Sequence, residues 1–185
     1  MKKAGVLFLC LIMLTGCSDS SKEIERGMAL RDKLLSGSCT FDAEITADYG
    51  DKLYTFTMQC QGDSQGDLTF TVTQPETISG ITGTISDEGG KLTFDDTALQ
   101  FDLLADDQLS PVSSPWILLK TLRSGYLTSA AEEGDTLHLT IDDSYDDDAL
   151  HLDIWLDGKD YPVRAEILYD NRRILSLDVK NFAIG

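Results

Sequence analysis

Apolar and polar positions change their rhythm twice along this chain. Between Ser20 and Leu35 the apolar residues Ile24, Met28, Leu34 and Leu35 recur at roughly helical spacing, and such a stripe lies against a sheet. Ser20 with Glu23 forms a capping box and Gly37 supplies a stop, which predicts a helix over about 21–35. From Cys39 the period becomes two. Strands are predicted near 38–48, 51–60, 67–74, 77–86, 91–95 and 98–104, with Pro75 ending the third and Asp87-Glu88-Gly89-Gly90 turning between the fourth and fifth. The rhythm breaks between Ser110 and Gly125. There Ser114-Pro115 reads as N-cap and first-turn proline, Trp116, Ile117, Leu118, Leu119 and Leu122 as a dense helical apolar patch, and Gly125 as its end. Strands resume near 135–142, 149–157, 161–169 and 173–182, with turns at Asp157-Gly158 and Asp170-Asn171. Leu137, Leu139 and Ile141 alternate cleanly with polar residues, as do Leu150, Leu152, Ile154 and Leu156, so each strand offers one apolar face.

About ten antiparallel strands with one apolar face must curl to cover it. The predicted fold is therefore mainly β (α+β): a curved antiparallel half-open barrel, with the N-terminal helix and the mid-chain apolar helix packed in its concave side. Residues 22–185 are long enough for one domain with a core and too short for two of ordinary size.

The first residues follow a different logic. Met1-Lys2-Lys3, an apolar run from Ala4 to Leu14, and small residues at Thr15-Gly16 form a secretory leader over 1–16. A run of about a dozen apolar residues is too short for a membrane, which takes about 20 in a helix. The arrangement Leu14-Thr15-Gly16-Cys17 resembles the lipobox of bacterial lipoproteins, which implies cleavage before Cys17 and a diacylglycerol carrying palmitate-type chains on its thiol. A plain signal peptide with an incidental cysteine is the alternative. Residues 17–21 then form the lipidated cysteine and its tether. The expected location is membrane-anchored and extracytoplasmic, on the cell membrane or on the outer membrane of a diderm host. Each buried methylene adds ~0.8 kcal/mol, so several chains make release into solution slow.

Cys10 leaves with the leader and Cys17 is acylated, which leaves Cys39 and Cys60 in an oxidising compartment. If a hairpin turns at Asp48-Tyr49-Gly50-Asp51, centred on Tyr49-Gly50, then Ala43 faces Phe56, Phe41 faces Met58, and Cys39 faces Cys60 at a non-hydrogen-bonded site. Cα atoms ~4.5 Å apart there are within reach of a disulfide, so a Cys39–Cys60 bridge is predicted.

The formal charge is −17, and loss of Lys2 and Lys3 takes it two units further negative. Nucleic acid, bound through lysine and arginine clusters, is excluded as a partner on this count, and an anionic lipid surface would repel the domain. The acidity reads as solubility of an exported surface. No catalytic set emerges, so a non-enzymatic protein without cofactor or metal is expected. His138 and His151 sit on strands among leucines, without a free cysteine to serve. Asp142 to Asp148 lacks the central glycine and closing glutamate of a calcium loop, with Asp153 at the twelfth position instead. Trp116, Ile117, Leu118, Leu119 and Leu122 either line a groove for lipid tails or a partner's apolar side chain, or plug the barrel. Arg164, Arg172 and Arg173 either dock an acidic partner or pair with Glu166 and Asp170 on the surface.

The order of helix, meandering strands, apolar helix and final strands resembles the outer-membrane lipoprotein carrier superfamily, with its LolA-like unclosed barrel. The C-terminal stretch Tyr161-Pro162-Val163-Arg164-Ala165-Glu166-Ile167, Arg172-Arg173-Ile174-Leu175 and Val179-Lys180-Asn181-Phe182 is similar to the GerS-like germination lipoproteins of endospore-forming bacteria. Carriers enclose acyl chains in the barrel, whereas the germination branch implies a partner in the cell-wall hydrolase machinery. An anchored chain fits a receptor or partner-holding role better than a shuttle. The expectation is thus a lipoprotein that binds an envelope protein or lipid-like ligand. The alternatives are a lipid or lipoprotein carrier or receptor, a structural or assembly protein with a sealed barrel, and, last, an envelope hydrolase.

Overall fold

A computed structural model describes residues 20–95, 97–101, 104–105, 108–146 and 149–185. The predicted leader, Cys17 and most of the predicted tether lie outside the described residues, as do Asp147 and Asp148 of the acidic loop. The chain forms α1 (Ser20–Ser36), then β1 (Cys39–Asp48), β2 (Leu53–Gly62), β3 (Leu68–Gln74), β4 (Thr82–Ser86), β5 (Gly89–Phe94) and β6 (Thr97–Phe101). Two-residue strands β7 (Leu104–Ala105) and β8 (Gln108–Leu109) lead to α2 (Ser114–Ser124). The rest is β9 (Tyr126–Glu133), β10 (Thr136–Asp142), β11 (His151–Leu156), β12 (Pro162–Tyr169) and β13 (Arg172–Ile184).

Eleven strands make one open antiparallel sheet in the order β6-β5-β4-β3-β2-β1-β13-β12-β11-β10-β9. Two meanders, β1 to β6 and β9 to β13, are joined by the β1·β13 pair at the centre, and β6 and β9 are the free edges. The chain thus leaves one edge, crosses the inner face as α2, and re-enters at the opposite edge. Mainly β with two helices on an open sheet is the predicted fold.

β9 is the strand the sequence does not announce. Its Tyr-Leu-Thr-Ser-Ala-Ala-Glu-Glu has no clean alternation, because an edge strand buries little; Leu127 and Ala130 are the apolar residues it packs against the core.

The helical stripe is corrected by the structure. Leu30 and Leu34 are buried, while Ile24, Met28 and Leu35 point outward. The reason is Gly27, whose Cα is so close to Leu139 and Leu127 that a Cβ there would sit 3.3 Å from Leu139 Cδ1. The smallest residue sets the line of closest approach, so positions 27, 30 and 34 face the sheet.

The first hairpin is also corrected. β1 and β2 pair as Ala43↔Met58, Phe41↔Cys60 and Cys39↔Gly62, two residues from the predicted register. Asp48 accepts the Gly50 N–H at 2.8 Å, and Gly50 takes φ +89°, so the loop runs over Tyr49–Lys52 instead of a two-residue turn. A slip of two keeps every side chain on its face, which is why the predicted core survives.

The two helices clamp each other. Arg31 of α1 donates to the carbonyls of Leu122 (2.8 Å) and Gly125 (2.6 Å) at the end of α2. Arg123 of α2 donates to Leu34 O near the end of α1 (3.1 Å) and to Asp63 O. Each guanidinium meets carbonyls that a helix C-terminus leaves unpaired, where the dipole favours a cation.

Candidate functional site

The predicted apolar patch on α2 lies in the middle of the core. Trp116, Ile117, Leu118, Leu119 and Leu122 are all buried, and Leu118 is fully excluded from water. A proline in the first turn and the Gly125 N–H on Thr121 O (2.8 Å) bound the helix. Ser114 donates its hydroxyl back to Pro111 O (2.7 Å) and Ser113 holds the N-cap position, which moves the predicted cap by one residue. Leu119 enters a hole left by Gly62, where a Cβ would come within 2.5 Å of its Cδ1. Trp116 Nε1 donates to Gly66 O (2.9 Å), so even the polar edge of that ring is satisfied. These contacts fill the space beneath α2 with side chains.

Cys39 and Cys60 are both buried free thiols. The corrected register makes them diagonal neighbours, and diagonal positions are ~7–8 Å apart where a disulfide requires less than ~6.8 Å between Cα atoms. Cys39 Sγ lies over Gly62, 3.1 Å from where a Cβ would stand. Burial pushes the Cys39 thiol pKa up, with nearby Arg123 opposing, and burial pushes Cys60 up strongly.

The arginines divide. Arg164 and Arg173 both pair with Glu166, the latter at 3.0 Å, and Arg164 also lies over the Trp155 ring. Arg172 is exposed beside the β1–β2 turn. His138 stacks on Trp155 with ring centroids 4.7 Å apart and meets Asp153 at 2.9 Å, while His151 meets Asp142 at 2.6 Å. Carboxylates rather than a nucleophile thus face both imidazoles. Among the described residues, no group of three or more metal-ligating side chains converges.

Two features escape a sequence reading. One is the inner face of β4 to β6. Cross-strand register continues the core row Phe70–Gly83–Leu92–Leu99 outward, yet Leu99 is 62% exposed and Phe94 is 51% exposed. Phe70 lies over Gly83 and Phe101 over Gly90, each ring filling the space that a Cβ there would take. Leu92 and Ile81 pack against the core beside these exposed side chains. The alternation of Leu92, Phe94 and Leu99 looks like ordinary core; only tertiary placement shows that, among the described residues, no helix covers it.

The second is a trough of about 730 Å³ on the outer face of β1 to β5. Its walls are cross-strand rows of threonine and glutamine, such as Gln61–Thr69–Thr84 and Gln59–Thr71–Thr82. Outward threonines are common on solvated strands, so the sequence carries no sign of the concavity.

No known protein family's sequence pattern matches this chain. No curated protein matches it in sequence. Among solved structures, it is similar to an uncharacterized conserved protein from Thermus thermophilus, at TM-score 0.49 and 10% identity over 88% of this chain and 87% of that one. A putative outer membrane lipoprotein-sorting protein domain from Vibrio parahaemolyticus matches at TM-score 0.46 and 10% identity, over 89% and 92% of the two chains. A LolA superfamily protein from Nitrosomonas europaea matches at TM-score 0.43 and 8% identity, over 86% and 93%. At such identities no residue's role passes from these proteins to this chain.

Proposed function

We propose that this protein is a membrane-anchored, extracytoplasmic, non-catalytic lipoprotein that holds an envelope protein partner on the inner face of its β4–β6 arm. The carrying observation is a contrast along one apolar face. Beneath α2 the inward side chains are sealed, whereas Phe94 and Leu99 stand in the open. A large apolar side chain left exposed beside others marks a contact surface. The leader and the Leu14-Thr15-Gly16-Cys17 box support the anchor, with Cys17 as the lipidated residue. The likeness of the C-terminal strands to germination lipoproteins supports a role in the cell envelope, including germination, with Arg164, Arg172 and Arg173 as further partner contacts. A carrier reading, with acyl chains against Trp116 to Leu122, requires α2 to leave the core.

The test has two parts. Native mass spectrometry of secreted Ser18–Gly185, followed by organic extraction, is expected to show a ligand-free protein. A photo-crosslinking residue at position 99 in the producing cell is expected to capture one envelope protein, and Phe94→Asp to abolish that capture without unfolding the domain. Co-purifying acyl material sinks the partner reading in favour of the carrier. Cleavage of peptidoglycan or an ester by the purified protein overturns both binding readings.

A further inference from the structure

The trough on the opposite face is independent of the partner surface. We propose that it is a binding site for a neutral polyhydroxylated chain, a glycan strand, running across the strands of β1 to β5.

Charge sets the trough apart. Of 185 residues, 32 are Asp or Glu, and the outer face of the C-terminal meander shows it. There the row His138–Trp155–Arg164–Asp178 and the neighbours Asp153 and Glu166 are ionic. The trough is of another kind. Among the described residues lining the trough, Asp42 is the one acid and Lys91 the one base, and Asn181 Nδ2 donates to the Asp42 carboxylate at 2.6 Å. A strongly acidic chain that places a single acid and a single base in one concave surface favours a ligand that carries little charge of its own.

Hydrogen-bonding capacity matches as well. Each threonine hydroxyl donates once and accepts twice, and each glutamine amide offers two donors and an acceptor, so the lining matches sugar hydroxyls, which also do both. Their internal commitments are weak: Thr69 Oγ1 reaches Gln61 O at 3.4 Å and Thr82 Oγ1 reaches Thr93 O at 3.5 Å. Threonine methyls add small apolar patches between the hydroxyls, suited to the C–H faces of a pyranose ring.

The spacing of the strands fits too. Strands lie ~4.8 Å apart, close to the advance of one sugar along an extended glycan, so a chain crossing the strands meets one polar side chain per residue. In register, Gln59, Thr71 and Thr82 form one line and Gln61, Thr69 and Thr84 a parallel one, which walls the path on both sides. The volume lies within the range of small-molecule sites, ~300–1,000 Å³.

The experiment is calorimetric titration of the folded domain with soluble cello-, chito- and malto-oligosaccharides. The comparison is between the native protein and Thr71→Val and Thr84→Val. Valine keeps the shape and strand preference of threonine and removes only the hydroxyl, and circular dichroism with thermal unfolding verifies that each variant folds. The expected result is saturable binding of at least one series, weakened about tenfold in the double variant and unchanged in Phe94→Asp. Absence of binding in all three series overturns the proposal. So does binding that persists unchanged when both hydroxyls are gone, or that disappears with Phe94→Asp while the trough is intact.

Discussion

Leu118→Ala separates a plug from a gate. Leu118 is fully buried at the centre of α2, among side chains that also hold the inner faces of the sheet. Burial of a leucine contributes about 1.5–3 kcal/mol, and an unrelaxed cavity adds to the cost of truncation, so about 3–5 kcal/mol of stability should be lost. A domain of this length has about 5–15 kcal/mol to lose, so the change takes a large and measurable share of the total. Leu99→Ala is the control. At 62% exposure it should cost less than about 1 kcal/mol. Urea unfolding followed by tryptophan fluorescence suits the measurement, because Trp116 sits on α2 itself and is buried. A loss below about 1 kcal/mol for Leu118→Ala would mean that α2 is held loosely enough to lift, and the sealed-core reasoning would fail with it.

Further outcomes are expected. Arg123→Met leaves the Leu34 and Asp63 carbonyls without their donor and should cost about 1–3 kcal/mol; Arg31→Met should cost a similar amount at the other helix end, and both appear as lowered urea midpoints. Gly62→Val should displace Leu119 and cost about 1–3 kcal/mol by overpacking, read by the same titration. The pKa values of Cys39 and Cys60 are raised by burial, so their neutral thiols contribute stability that is complete below the ordinary value of 9.0 and is lost as pH rises beyond it. Stability should therefore fall between neutral pH and about pH 10 more steeply in the native protein than in Cys60→Ala. Equal slopes would show that the thiol is not shielded as the structure places it.

Much of the architecture was legible because period-two alternation survives small errors of register. Cys39 and Cys60 show the limit: parity put them on the right face, but a loop longer by two residues moved them from opposite to diagonal, and a disulfide depends on that distance. β9 was not legible because an edge strand buries little and need not alternate. The stripe on α1 was misread because hydrophobicity was weighed and closeness was not; Gly27 decides the packing and has no side chain to count. The candidate surfaces were hidden for another reason. Whether Leu99 is core or contact depends on where α2 ends, and whether Thr71 is solvent or wall depends on the curvature of five strands.

The β1·β13 pair at the centre of the sheet imposes an order of events. A chain that emerges from its N-terminus presents β1 to β6 before β13, so one side of β1 is an unpaired edge until β13 arrives. The two meanders cannot be stitched together until Arg172 to Ile184 arrive, and Gly185 N then donates to Ser38 O at 2.9 Å beside the first residue of β1. β13 thus acts as a keystone, and the two halves of the sheet stay separate until it has paired with β1. Contacts this distant in sequence make folding slow, and an early half-sheet with an open seam is the species most exposed to misassembly.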